Sequence, residues 1–390
     1  MLGLFAMCIH LKSGSVLLAC TIVLGCSEST TPDDPSPVSI ALPANSRVAA
    51  LAASEDRLYS LRLGSATSRV LEARRLDGAV EWAESVPSCG TGQQCALAVD
   101  ASNNLYLATG TGLMSRTSSG SLRWTVTTHV ASIAIGSGSR LFVTGRPFVA
   151  QSVYAIEKAN GATAWTAALP ASFDAMATLL DESRSTVYSI GRGGAVAMDT
   201  QTGAVRWTVT HANCFAHSVG SIANDGTLYV NCDSDFSSRL NAYTPAGILK
   251  WQRSLGSTVG TFAPVIDADG TVYVANAGSV RAISPAGSVV WTVSNLAMIR
   301  GSPILDSNRN IYVFASQTGS GGEQTLLVLK NGTITEDRGP ASCEDSILLL
   351  PTGRAYCSAF NALIRFGTEG YPSDAQWGQF GHNYRRTSHR

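Results

Sequence analysis

The chain has 390 residues, 45% of them apolar and only 14% charged, with 28 basic residues balanced by 28 acidic ones. Its length and apolar share allow a large core, and zero net charge with no basic cluster argues against a nucleic-acid partner. The 37 glycines and scarce charge suit a turn-rich all-β protein.

The N-terminus differs from the rest. Lys12 is the only early charge, followed by the apolar run Val16-Leu-Leu-Ala-Cys-Thr-Ile-Val-Leu-Gly25 and then Cys26. This has the form of a secretory signal and is too short to count as a membrane span. Val23-Leu-Gly-Cys26 resembles the bacterial lipoprotein processing box, in which the cysteine receives lipid and becomes the mature N-terminus. Leu17-Leu-Ala-Cys20 also fits but leaves almost no apolar region ahead of it, so Cys26 is the expected lipidation site. Ordinary signal cleavage near Gly25, without lipid, is the plain alternative. Residues 1–25 are therefore read as the lipoprotein signal. Residues 26–37, with no apolar side chain after Cys26, are read as a flexible tether. Ser27, rather than aspartate, follows the cysteine, which by family sorting rules implies an outer-membrane lipoprotein facing the periplasm of a Gram-negative cell.

From residue 38 onward the chain repeats. Glycine is followed four residues later by tryptophan at Gly78–Trp82, Gly120–Trp124, Gly161–Trp165, Gly203–Trp207, Gly247–Trp251 and Gly287–Trp291, so neighbouring tryptophans step by 42, 41, 42, 44 and 40 residues. An apolar–aromatic pair after a turn recurs eight times, from Leu58-Tyr59 to Ala355-Tyr356. The two extra copies are degenerate, with Glu336 and Asp374 in the tryptophan slot. The sixth copy, Ala263 to Trp291, alternates short β-branched and aromatic runs with Asp-Gly and Pro-Ala-Gly turns, and nothing in it has helical period. Four strands in about 42 residues make the blade of a β-propeller. A blade cannot bury both faces alone, so copies must stack in a ring, with tryptophan filling the space between neighbours.

The expected fold is thus all-β: an eight-bladed propeller of four-stranded antiparallel blades over residues 38–371, followed by a tail at 372–390, with seven blades if a degenerate copy fails. The last copy runs out after Gly370, and Val38-Ser-Ile-Ala-Leu-Pro43 resembles Trp165-Thr-Ala-Ala-Leu-Pro170. The N-terminal strand is therefore expected to complete the final blade and leave no open edge.

Six cysteines of the exported chain fall into close pairs: Cys89/Cys95, Cys214/Cys232 and Cys343/Cys357. The first of each pair lies seven residues after a tryptophan slot, at 82, 207 and 336. Even count and local pairing on an exported chain predict three disulfides, each tying the start of a blade to its own first or second strand.

Ala197-Met-Asp-Thr-Gln-Thr-Gly-Ala-Val-Arg-Trp207 resembles the tryptophan-docking repeat of the PQQ-like, quinoprotein-type propellers, and Ala155 to Trp165 is close to it. The copies cover nearly the whole exported chain. Trp377-Gly-Gln-Phe-Gly-His-Asn383 also resembles a segment that accompanies these repeats. The resemblance implies fold more than activity. One branch, the quinoprotein dehydrogenases, holds pyrroloquinoline quinone (PQQ) and calcium on the propeller axis and carries a disulfide between adjacent cysteines. Here no two cysteines are neighbours, and no motif supplies the metal ligands. The other branch is non-enzymatic and includes the propeller lipoprotein of the outer-membrane β-barrel assembly machine, which this chain is similar to in length, anchor and blade count.

Other candidate sites read as structure. Asp267-Ala-Asp-Gly270, Asp100 to Asn104 and Asp306 to Asn310 hint at calcium loops but lack a closing bidentate glutamate, and they recur where hairpin turns want Asp, Asn and Gly. His211, Cys214 and His217 have zinc-like spacing, yet Cys214 is expected to pair with Cys232. His129, His382 and His389 sit in loop or tail contexts, and no Gly-x-Ser-x-Gly elbow is present. No catalytic, cofactor or metal residue is therefore assigned. In a propeller, connections after the second and fourth strands share one face, and here they hold the long insertions. That face is the expected contact surface, with Phe148, Phe215 and Phe236 as aromatic anchors. The expected function is a non-catalytic, lipid-anchored scaffold for an envelope protein or cell-wall component. A PQQ-dependent oxidoreductase with an axial site is the alternative.

Overall fold

Each copy of the repeat folds into one four-stranded antiparallel sheet, and there are eight such sheets in the computed structural model. The structure describes residues 36–63, 68–88, 95–109, 112–128, 130–145, 151–170, 173–210, 219–234, 237–256, 262–276, 278–317, 323–344 and 347–372. Blade 1 comprises the strands Val48–Ala53, Arg57–Leu63, Ser68–Arg75 and Val80–Pro87 in sequential order. Blades 2 to 7 repeat that order over residues 97–126, 130–168, 174–210, 220–256, 265–293 and 296–340. Blade 8 takes three strands, Leu348–Leu349, Arg354–Ala359 and Ala362–Gly367, from the end of the chain and its outermost strand, Val38–Ala41, from the beginning. The expected closure is therefore present, with Val38 opposite Arg365 and Ala41 opposite Ala362. First strands of consecutive blades lie close together and form the inner ring. Among the described residues the single helical element is the 3-10 turn Glu182–Arg184.

One residue row explains why the sequence repeats as it does. In blade 1, Ala52, Tyr59, Ala73 and Trp82 face one another across the four strands. The third-strand residue is small in six blades: Ala73, Ser115, Ala155, Ala197, Ala242 and Ala282. A small side chain there lets the second-strand aromatic ring reach over it to the indole, with ring centroids 5.6 to 6.3 Å apart.

The indole also joins blades. Trp82, Trp124, Trp165, Trp207 and Trp251 donate their ring N–H to carbonyls of Ser118, Lys158, Thr200, Pro245 and Pro285, each in the next blade's outer hairpin, at 2.7 to 2.9 Å. The repeat glycine of that hairpin lies against the indole face. Gly203 has φ +74°, and a Cβ added there would stand 2.6 Å from Cε3 of Trp165. Glycine is required twice over at this point, once by the left-handed backbone and once by the close approach.

The two degenerate copies use other contacts. In blade 7, Glu336 occupies the tryptophan position opposite Val328. Arg338 binds Glu336 at 2.7 Å, donates to the Gly367 carbonyl of blade 8 at 2.7 Å and covers the Tyr312 ring at 5.3 Å. In the closing strand, Ile40 meets Gly78 of blade 1 where the other blades place tryptophan. The blade 8–blade 1 seam is then reinforced by polar groups. Ser46 and Asn361 bond reciprocally, Tyr356 donates to the Leu76 carbonyl at 2.8 Å, and Glu72, 3% exposed, lies between Arg62 and Arg74. Burial opposes ionisation of Glu72, but the hydrogen bonds from both guanidinium groups outweigh it and hold its carboxyl below the usual range.

Two outcomes test this account. Gly203→Ala should lower the denaturation midpoint by about 1–3 kcal/mol of stability through strain and overpacking. Gly138→Ala, with no heavy atom within 4 Å of the added Cβ, should be close to neutral. For Glu72, a depressed folded-state pKa gives stability that is complete above the unfolded value, about 4.3, and lost as pH falls through the folded one. Denaturation followed from pH 7 downward should therefore show an acid loss in the wild type that is shallower in Glu72→Gln. That variant should also start about 3 kcal/mol less stable at neutral pH, as expected when one partner of a buried ion cluster is removed.

Candidate binding surface

The two ends of the blades are built differently. Connections from first to second and from third to fourth strands are short hairpins fixed by their own side chains. Asp100 accepts from the Ser102 and Asn104 amides with one carboxylate oxygen, and from the Tyr106 hydroxyl at 2.9 Å with the other. Asp306 does the same with Asn308, Asn310 and Tyr312 and also receives the Gly370 amide at 3.0 Å. The oxygens of these two loops are thus engaged in turn geometry. Asp267 and Asp269 are instead bridged by Arg309 of the neighbouring blade, each at 2.9 Å. Among the described residues no group of three or more His, Cys, Asp or Glu side chains is placed to hold a metal.

The opposite end carries the connections after the second and fourth strands. Phe148, Phe215 and Phe236 lie outside the described residues, as do His129, His211, Cys214, His217, His382 and His389. Cys26 and the tail from residue 373 also lie outside them. What is described is how the bases of these loops are clamped. Asn276 donates its side-chain amide to the Leu255 carbonyl, which also accepts from Arg281, both at 2.5 Å. Burial lowers the Arg281 pKa from its ordinary value. Asn231 reaches the Phe262 carbonyl, and Ser302 accepts the Ala263 amide at 3.0 Å.

On this face a groove of about 440 Å³ runs across the ring seam, lined by Arg47, Arg300, Glu323, Gln324, Ser342 and Glu344 among others. Arg47 lies between the closing strand and blade 1, and Arg300 stands between two register shifts in the first strand of blade 7. Such bulges re-aim side chains at functional rims. Arg47 pairs with Glu344 at 3.3 Å, Ser342 donates to the Gln324 side chain at 3.0 Å, and the Glu344 amide donates to the Ser358 carbonyl at 2.8 Å. Cys343, between Ser342 and Glu344, is disulfide-bonded to Cys357 on the second strand of blade 8, with Cα atoms 5.9 Å apart. The disulfide fixes one wall of the groove. Cys95 and Cys232 are also disulfide-bonded, while Cys89 and Cys214 lie outside the described residues.

Charges of both signs on a rigid, open wall suit a polar protein surface better than a small apolar ligand. Sequence reasoning selected the face but not this groove, whose lining residues are drawn from positions 47, 300, 323 and 344.

Residues 149–333 match the family model described as PQQ_2, outer membrane protein assembly factor BamB. A 65-residue stretch is 43% identical to the uncharacterized protein YxaL of Bacillus subtilis, over 16% of this chain and 16% of that one. Among solved structures, BamB from Moraxella catarrhalis superposes with a TM-score of 0.59 at 16% identity, over 84% of this chain and 97% of that one. A europium-containing methanol dehydrogenase gives 0.57 at 10% identity, over 82% and 83%. At these identities the superpositions show the fold.

Replacing Cys343 and Cys357 by serine together should cost about 3 kcal/mol, the loop-closure value for a span of this size, read as a shift in urea midpoint. The docked tryptophans and the eight four-stranded blades make this chain a β-propeller, and its central residues are similar to the PQQ_2 repeat family.

Proposed function

We propose that this protein is a non-catalytic, lipid-anchored scaffold of the bacterial cell envelope that binds another protein through its long-loop face. The observation that carries the reading is the division between the two ends of the ring. One end is spent on self-bonded turns, while the other holds variable connections on clamped bases and a charged groove at the seam. Rigid scaffolds display recognition residues in this way. The description of the matching family, an outer-membrane assembly factor, supports a protein partner and an envelope location. Lipid attachment at Cys26, by way of the processing-box resemblance, supplies the anchor. The fold shared with a methanol dehydrogenase keeps PQQ chemistry as the alternative reading.

Photo-crosslinking in intact cells from probes at Arg47, Gln324 and Arg300 should capture a discrete envelope protein, and probes at Asp77 and Asp225 should not. Equal capture from both faces would defeat the reading. Stoichiometric uptake of PQQ with calcium by the purified protein would favour the oxidoreductase instead.

A further inference from the structure

We propose that the tight-turn end of the ring is a membrane-facing surface that rests on the lipid bilayer holding the Cys26 anchor. The inference rests on the lipoprotein reading above and adds which surface of the propeller meets the lipid.

The exposed large apolar side chains are unevenly distributed. Of the ten among the described residues, only Phe360 lies at the long-loop end, on the hairpin between the second and third strands of blade 8. The others gather toward the tight-turn end. Two residues after the repeat glycine, Val80, Leu122, Val205, Leu249 and Val289 recur in five blades and are 45 to 55% exposed, with Thr163 in blade 3, and Ile248 and Val290 beside them are 66% and 61% exposed. Tyr371, where the C-terminal segment crosses the first hairpin of blade 7, is 63% exposed. Neither the glycine–tryptophan dock nor the cross-strand aromatic row requires an aliphatic side chain at this position. Repeated around the ring, these residues give this rim a row of exposed aliphatic side chains.

The occupant follows from where the chain enters. The closing strand runs from Val38, opposite Arg365, toward Ala41, opposite Ala362 beside the long-loop hairpin. The residues before Val38 therefore leave from the tight-turn end. Cys26 lies 12 residues earlier, a reach of at most about 40 Å when fully extended. A tether this short raises the local concentration of the nearest rim at the bilayer. Aliphatic side chains spaced around that rim can enter the headgroup boundary, adding the second membrane contact that a lipid anchor alone does not supply. Two pairs of charges beside these side chains are internally matched, Arg75 with Asp77 at 3.2 Å and Lys250 with Asp225 at 3.2 Å.

The test uses the full-length lipidated protein on vesicles of phosphatidylethanolamine and phosphatidylglycerol, compared with the same protein in detergent, followed by hydrogen exchange. The expected result is several-fold slower exchange in the outer hairpins at residues 75–80, 117–122, 244–249 and 284–290, with residues 358–363 unchanged. Substituting Val80→Ser, Leu122→Ser, Ile248→Ser and Val290→Ser together should abolish that protection while the protein stays vesicle-bound through its anchor. These side chains are half-exposed or more, so folding should survive, and an unchanged near-ultraviolet spectrum verifies it. Unprotected hairpins, or protection at residues 358–363 instead, overturns the proposal. Absence of lipid on Cys26 by mass spectrometry sinks the lipoprotein reading alone. A chain held on chelating lipid through a histidine tag replacing residues 1–26 then reads the same hairpins with the same two outcomes.

Discussion

The ring depends on one directional contact, the indole of blades 1 to 6 laid over the glycine of the next blade. The contact joins three requirements in few atoms. A ring N–H finds a carbonyl, a flat apolar face is covered, and a left-handed backbone position brings the neighbouring hairpin close enough for both. Because blades 1 to 6 supply the tryptophan and blades 2 to 7 receive it with the glycine, the contact propagates through six junctions without any blade needing contacts beyond its neighbours. A ring built this way has its weakest place where the last blade must meet the first.

That place is where the repeat is abandoned. The closing strand offers Ile40 to Gly78, an aliphatic side chain in place of an indole, and so forfeits the cross-blade hydrogen bond. Tyr356 restores it from the second strand through its hydroxyl to Leu76, and the Arg62–Glu72–Arg74 cluster adds charge-assisted bonds beneath. One blade earlier, Arg338 performs an equivalent substitution over the Tyr312 ring. There the neighbouring Glu336 carboxylate raises the Glu369 pKa, while Arg338 holds Glu336 below the ordinary range. Apolar docking inside the array and polar docking at its seam are two solutions to the same closure problem. The polar one costs desolvation but fixes register where no repeat does.

Much of this was legible in the sequence because its causes are local. A glycine four residues before a tryptophan is a hairpin and the strand after it, and both lie within one copy. The closing strand was legible because Val38 to Pro43 copies the end of the third blade, and Leu42 makes the same amide-to-carbonyl bond as Leu169, at 2.8 Å in both. The seam contact was not, since Ser46 and Asn361 meet only after the ring has closed. Glu72 did carry a faint signal as an acidic residue in a third strand whose counterparts in blades 3, 4 and 6 are Tyr154, Val196 and Arg281. The charged groove was equally hidden, its walls coming from three blades.

The division of labour between the two ends follows from the same economy. At the tight-turn end, Asp100 and Asp306 satisfy their hairpin amides and the tyrosine hydroxyl that also belongs to the aromatic row, so a change in either turn would disturb the core beneath it. Those loops are bound to the packing and are not free to vary. At the other end the clamps, Asn231, Asn276 and the Cys343–Cys357 disulfide, hold the bases of the connections. Length and composition can change there without cost to the ring, which is the condition under which a recognition surface can be altered independently of the fold.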